Sequence, residues 1–244
     1  MHNLTLVAFY GQKHSPLKEL IESCHQMISK SPLGKWIIPY ATSQIHATLT
    51  GLEWFEQKGK PVNTNYFHKH GKPTPMIMDQ FSDILNETFP LSIRFGGFSE
   101  KWDDFRSSGK KPFERSFVID RITQKAMIIG WPVYDGKFQK RKLEELRNQL
   151  EAKCNISHKY SDDNDLYLVL GDIRIPDIDN ALAENLMNSV EREIRDWFFH
   201  HPFQMIISRE DLSFVRYKTS ELPRKTSQVY PYVRSEKDIL KLFS

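Results

Sequence analysis

Cysteine is nearly missing from this chain. Cys24 and Cys154 are the only two in 244 residues, and neither sits in a C-x-x-C pattern, which argues against a disulfide framework and for a reducing compartment. Long apolar runs are also missing. No stretch approaches the roughly 20 residues needed to cross a bilayer, and MHNLTLVAFYGQK has no basic region leading into an apolar segment. A soluble, cytoplasmic protein with no membrane partner is the expectation. There is little charge of one sign: 34 basic against 31 acidic side chains leave +3, compatible with a phosphate-bearing ligand but too little for a duplex DNA-binding face. The patterns G-x-x-x-x-G-K-[ST], G-x-G-x-x-G and G-x-S-x-G are absent, so the common triphosphate, dinucleotide and serine-hydrolase sites are not indicated.

What is present reads as alternating strands and helices. LTLVAFYG (4–11) is rich in strand formers and stops at glycine. Ser15 and Pro16 then mark a helix start, with Leu20, Ile21, Cys24, Met27 and Ile28 at helical spacing. QIHATLTGLE (44–53) is the next strand, followed by a polar loop (57–75), a helix with Phe81, Ile84 and Leu85 on one face, and the strand LSIRFGGF (91–98). A second polar loop (99–115) leads to RSFVIDRITQKAMIIGWPV, read as a hairpin or two short strands. The order then begins again. Leu143, Leu146 and Leu150 mark a helix, NDLYLVLGDI a strand, Leu182 to Trp197 a long helix, and FQMIISREDLSFVRY a last extended stretch.

The two halves share a spacing as well as an order. A shift of 121 residues lays LVAFYG on MIIGWP and carries His46 and Thr48 onto Tyr167 and Val169, without a gap. It also places Tyr10 on Trp131. The expected fold is therefore α+β: a single bilobed domain, lobe one about 1–111 and lobe two about 112–244, built from duplicated strand-helix-strand units with a central groove between two antiparallel sheets.

His46 and Thr48 stand two apart on a strand, so their side chains share a face while Ala47 and Leu49 turn to the other. An imidazole takes up and returns protons near neutral pH, and a neighbouring hydroxyl donates to a phosphate oxygen. Two such units across a groove would supply a base for the attacking oxygen and an acid for the leaving one. This H-x-T strand inside a duplicated α+β layout resembles the 2H phosphoesterase superfamily, which includes the RNA 2′,3′-cyclic phosphodiesterases also called 2′-5′ RNA ligases. The resemblance implies two pseudo-symmetric lobes, one H-x-T in each, a hydrolase reaction without metal or cofactor, and a nucleotide or RNA terminus as partner. On that reading His46 is catalytic, and Thr48 and Tyr167 bind phosphate. The second motif is degenerate, because a phenol with a reference pKa of about 10 is a poor base and Val169 donates nothing. Enzyme, inactive nucleotide- or RNA-binding module and interaction scaffold all stay open.

Other residues carry weaker expectations. Tyr10 and Trp131 are candidates for base stacking. Asp211 and Ser213 form a competing second motif, D-x-S, which breaks the shared shift. His68 and His70 read as loop residues without a third metal ligand, His200 and His201 as a helix terminus, and Lys110, Lys111 and Arg115 as a solvated cluster able to reach phosphates. The two long loops could narrow or lid the groove.

Overall fold

A computed structural model describes residues 3–103, 105–160, 164–176, 180–233 and 235–243. In chain order, β1 (Leu4–Ala8), α1 (Ser15–Lys30), β2 (Ile37–Pro39) and β3 (Ala47–Gly51) come first. The hairpin β4 (Trp54–Gln57) and β5 (Lys60–Asn63) leads into α2 (Thr64–His70), α3 (Phe81–Thr88) and β6 (Leu91–Phe95). The second half holds α4 (Pro112–Arg115), β7 (Phe117–Ile119), β8 (Lys125–Tyr134), β9 (Lys137–Phe138), α5 (Lys142–Cys154), β10 (Leu166–Ile173), α6 (Asn180–His200), β11 (Phe203–Ile207), β12 (Leu212–Arg216), β13 (Gln228–Pro231) and α7 (Glu236–Leu240). The fold is α+β with two principal antiparallel sheets. No helix among the described residues is long and apolar enough to cross a membrane.

The first long loop is more ordered than its composition implies. Lys58 and Gly59 both take positive φ to turn the β4–β5 hairpin. Asn63 then caps α2 by accepting from the Tyr66 amide at 2.8 Å, and Gly71, at φ 67°, ends it. His68 and His70 therefore stand on a helix.

The sheets do not follow the two halves of the sequence. Sheet one runs β13-β12-β1-β3 and sheet two runs β11-β6-β8-β10-β2. Each takes strands from both halves, so a boundary near residue 111 divides the repeat without dividing the sheets. The crossover lies inside the stretch read as one strand. Ser208 and Asp211 make a reciprocal cap, Ser208 donating from N and Oγ to the Asp211 carboxylate at 2.7 and 2.8 Å. The resulting single turn sends β11 to sheet two and β12 to sheet one.

The pairing register refines the repeat. Thr48 lies opposite Val7 and Thr50 opposite Leu6, so Leu49 is an extra, bulged residue. Val169 lies opposite Met127 and Gly171 opposite Ala126, so Leu170 is bulged in the same way. The shift of 121 thus holds for β3 and β10, bulge included. It fails by one residue for the opening strands, where Val7 corresponds to Met127, so Tyr10 and Trp131 are not equivalent.

A bulged residue leaves its carbonyl outside the ladder, and a buried carbonyl needs a donor. Each bulge finds one on a helix from the other half of the chain. Arg147 of α5 donates from Nε to the Leu49 carbonyl at 3.3 Å and from Nη2 to the Asp165 carbonyl at 3.4 Å. His25 of α1 meets the Leu170 carbonyl at 2.8 Å, and the Tyr40 amide reaches the same oxygen at 2.8 Å. α1 packs against β2, β10 and β11, and one continuous apolar core joins the inner faces of both sheets to α1, α3, α5 and α6. Because Arg147 is only 4% exposed, Arg147→Met should lower unfolding free energy by about 3 kcal/mol, the cost of stranding two buried carbonyls. Urea unfolding measures this, and a loss below about 0.5 kcal/mol would mean that the brace is dispensable.

Candidate functional site

A groove of about 1080 Å³ lies between the sheets, and His46, Thr48, Tyr167 and Val169 all line it. His46 sits one residue before β3, where its Nδ1 is 2.8 Å from the Gln44 carbonyl. A carbonyl only accepts, so Nδ1 carries the proton and Nε2 keeps its lone pair. Burial lowers the His46 pKa to about 4; the Gln44 carbonyl opposes this and the Lys13 ammonium adds to it. The imidazole is therefore a neutral base across the physiological range. Tyr10 packs against it edge to face, with ring centroids 5.8 Å apart.

One wall is a linked polar cluster. Lys125 donates to the Tyr40 hydroxyl at 2.9 Å and to Glu221 at 3.1 Å, and Tyr40 donates to Asp172 at 2.8 Å. Across the groove, Tyr217 donates to Glu53, and Thr64, Asn65 and His68 complete that side. Both regions expected as loops contribute, the second through Phe105, Arg106, Ser107, Ser108 and Arg115. Of the cluster Lys110, Lys111 and Arg115 expected to be solvated, Arg115 lines the groove and pairs with buried Asp165 at 2.6 Å, while Lys111 donates to the Glu100 carbonyl at the surface.

His158 also lines the groove, and among the described residues neither of its ring nitrogens has a hydrogen-bond partner. Burial, then the nearby Arg147 charge, lowers its pKa to about 3. Two histidines held below their ordinary pKa of 6.5 bind fewer protons folded than unfolded. Their stabilisation is complete above pH 6.5 and declines as pH falls toward the folded values. Between pH 7.5 and 4.5 each should remove roughly 2.5 kcal/mol of stability. His158→Leu, compared with wild type by urea unfolding at both pH values, should recover about one such share; parallel losses in the two proteins would assign the acid sensitivity elsewhere.

The remaining sequence candidates separate clearly. Tyr167 faces the groove while packing on the aromatic cluster of Phe98, Phe113, Ile129 and Trp131. Trp131 is fully buried and donates from Nε1 to Asp165 at 2.6 Å, so the expectation that it stacks on a base is corrected: no face of the ring is free. Tyr10 is 8% exposed, with its hydroxyl on the Leu222 carbonyl at 2.6 Å, which makes it a wall behind His46 rather than an open platform. The D-x-S alternative also falls. Ser213 lies opposite Val7 on sheet one, and the Asp211 carboxylate is held by Ser208 and His14. His70 contacts Glu151 at 3.0 Å, and His201 stacks on Trp197 with centroids 4.7 Å apart. Among the described residues, no group of three or more His, Cys, Asp or Glu side chains is placed to hold a metal ion.

Sequence reasoning missed Lys13 and Arg224, which approach His46 and Tyr10, and it missed His158. Lys13 follows the first strand directly, so proximity in the chain was an available signal. Arg224 and His158 come from irregular segments and carried none.

No family model and no curated protein matches the chain. Among solved structures, a conserved protein of unknown function from Agrobacterium tumefaciens is similar at 12% identity and a TM-score of 0.47, covering 96% of this chain and 86% of that one. Usb1 of Kluyveromyces marxianus is similar at 8% identity and a TM-score of 0.43, covering 95% and 98%. The same protein with uridine monophosphate gives 8%, 0.40, 94% and 99%.

Proposed function

We propose that the groove binds the phosphate of a nucleotide or RNA end and opens 2′,3′-cyclic or 2′-5′ phosphodiesters through a reduced, one-histidine form of a 2H phosphoesterase site. The observation that carries this reading is the His46–Thr48 unit: a neutral imidazole with a fixed tautomer beside a hydroxyl, both on the groove. In the proposed reaction His46 Nε2 takes a proton from water as the water oxygen bonds to phosphorus. Thr48 donates to a non-bridging oxygen, and Tyr167 holds the phosphate from the opposite sheet. The P–O bond to the leaving ribose oxygen breaks, that oxygen takes a proton from solvent, and a phosphate monoester results.

The second reading, binding without turnover, draws on Tyr167 and Val169 occupying the pseudo-equivalent positions of β10. A panel of 2′,3′-cyclic nucleotides and short 2′-5′ oligonucleotides, followed by chromatography and calorimetry, tests both. Monoester product establishes the enzyme, and binding without product establishes the module. If nothing in the panel binds or reacts, the nucleotide assignment is wrong and the scaffold reading leads.

A further inference from the structure

The chain behind His46 holds two cations close together. β1 ends at Ala8, and Phe9 at φ 65° turns the backbone so that Tyr10 meets the imidazole. Lys13 Nζ folds back to donate to the Gly11 carbonyl at 2.9 Å. Arg224 lies over the Tyr10 ring at 5.2 Å from its centroid, and its Nη1 is 3.7 Å from where a Cβ on Gly11 would stand. It comes from the segment whose Tyr217, Ser220, Glu221 and Leu222 line the groove, and the Tyr10 hydroxyl fastens that segment at the Leu222 carbonyl.

Among the described residues neither Lys13 nor Arg224 has an acidic partner, and the carboxylates on the adjoining segments are engaged elsewhere: Asp211 by Ser208 and His14, Glu221 by Lys125. The mutual repulsion is felt, since burial and then the Arg224 charge lower the Lys13 pKa to about 8. Lys13 is partly buried and Arg224 exposed, and like charges gathered together cost free energy that a bound anion returns. A lysine and an arginine supply the donors for which phosphate oxygens are the natural acceptors.

We propose that Lys13 and Arg224 form a second anion subsite beside His46, which takes a phosphate monoester or diphosphate. This rests on the nucleotide reading above and narrows it. The substrate class is a nucleotide that carries an additional phosphate besides the phosphodiester facing Thr48. The same chemistry admits free inorganic phosphate or pyrophosphate, and the experiment separates the two sources.

Calorimetry at low salt measures wild type, Lys13→Gln and Arg224→Gln against pyrophosphate, a 2′,3′-cyclic nucleotide, and that cyclic nucleotide bearing a 5′-phosphate. Wild type should bind the 5′-phosphorylated ligand about 10- to 100-fold more tightly than the unphosphorylated one, and each substitution should erase most of that ratio. Thermal unfolding confirms that the variants are folded. Acylation of Lys13 at neutral pH, mapped by mass spectrometry, gives a second readout, and pyrophosphate should protect the amine. Equal affinity for the two nucleotides with no pyrophosphate binding or protection overturns the subsite and leaves the nucleotide reading standing. Pyrophosphate binding that depends on both cations, with neither nucleotide bound, supports an anion site for free phosphates and removes the nucleotide reading.

Discussion

His46→Asn should reduce turnover of a 2′,3′-cyclic nucleotide by about 10²- to 10⁴-fold, the range a positioned base contributes, while binding changes little. Asparagine is close in size and can keep donating to the Gln44 carbonyl that now holds Nδ1. What it lacks is the lone pair of Nε2. A loss confined to kcat therefore identifies proton transfer, whereas a matching rise in KM would identify binding. The pH profile gives an independent check. With the pKa of His46 lowered to about 4 by burial, the base is already deprotonated at pH 5, so kcat/KM should rise with an apparent pKa near 4 and run flat through neutrality on that limb. A limb near 6.5 would mean that some other imidazole does the work. If His46→Asn retains more than about a third of wild-type turnover, the base assignment fails.

The parts of this molecule that were legible in the chain are those fixed by local pattern. Leu20, Ile21, Cys24 and Ile28 all face the core from α1, as their spacing requires. Thr48 and His46 reach one groove because residues two apart on a strand share a face. Strand identity does not encode strand partners, however. LSIRF and LSFVR look alike, yet the first pairs with β8 of sheet two and the second with β1 of sheet one. The signal for that exchange was the polar SRED interruption, whose Ser208–Asp211 cap turns the chain between sheets.

The same limit explains the site. A one-residue difference in the opening strands is invisible in an ungapped match, and it transferred to Trp131 a stacking role that its burial rules out. Asn63 capping and the Gly71 stop were readable as helix signals, but they lay in a segment whose composition suggested a loop. Lys13 and Arg224 meet only because the segment after β12 returns to the start of the chain, tied by Tyr10 to the Leu222 carbonyl. No periodicity predicts that closure.

The largest gain of function should come from rebuilding the degenerate half. In Tyr167→His/Val169→Thr, the new pair would occupy β10 at the same distance from its bulge as His46 and Thr48 occupy from theirs. The counterpart of the Gln44 carbonyl, which fixes the His46 tautomer, is the Asp165 carbonyl; it already accepts from Arg147 Nη2 at 3.4 Å. A carbonyl has two lone pairs, so it can take the new Nδ1–H as well. The double variant then supplies the acid that the leaving oxygen now lacks, and turnover should increase by about 10²- to 10⁴-fold over wild type. Its pH profile should become bell-shaped, because one histidine must be neutral and the other protonated. Adding His46→Asn should abolish the gain, since a general acid alone does not activate the water. Tyr167 also packs on the Phe98–Trp131 cluster, so thermal unfolding must accompany the kinetics. A folded double variant with less than a threefold gain would show that β10 no longer presents its residues to the phosphate, and that the groove has diverged from a two-histidine layout in geometry as well as in side chains.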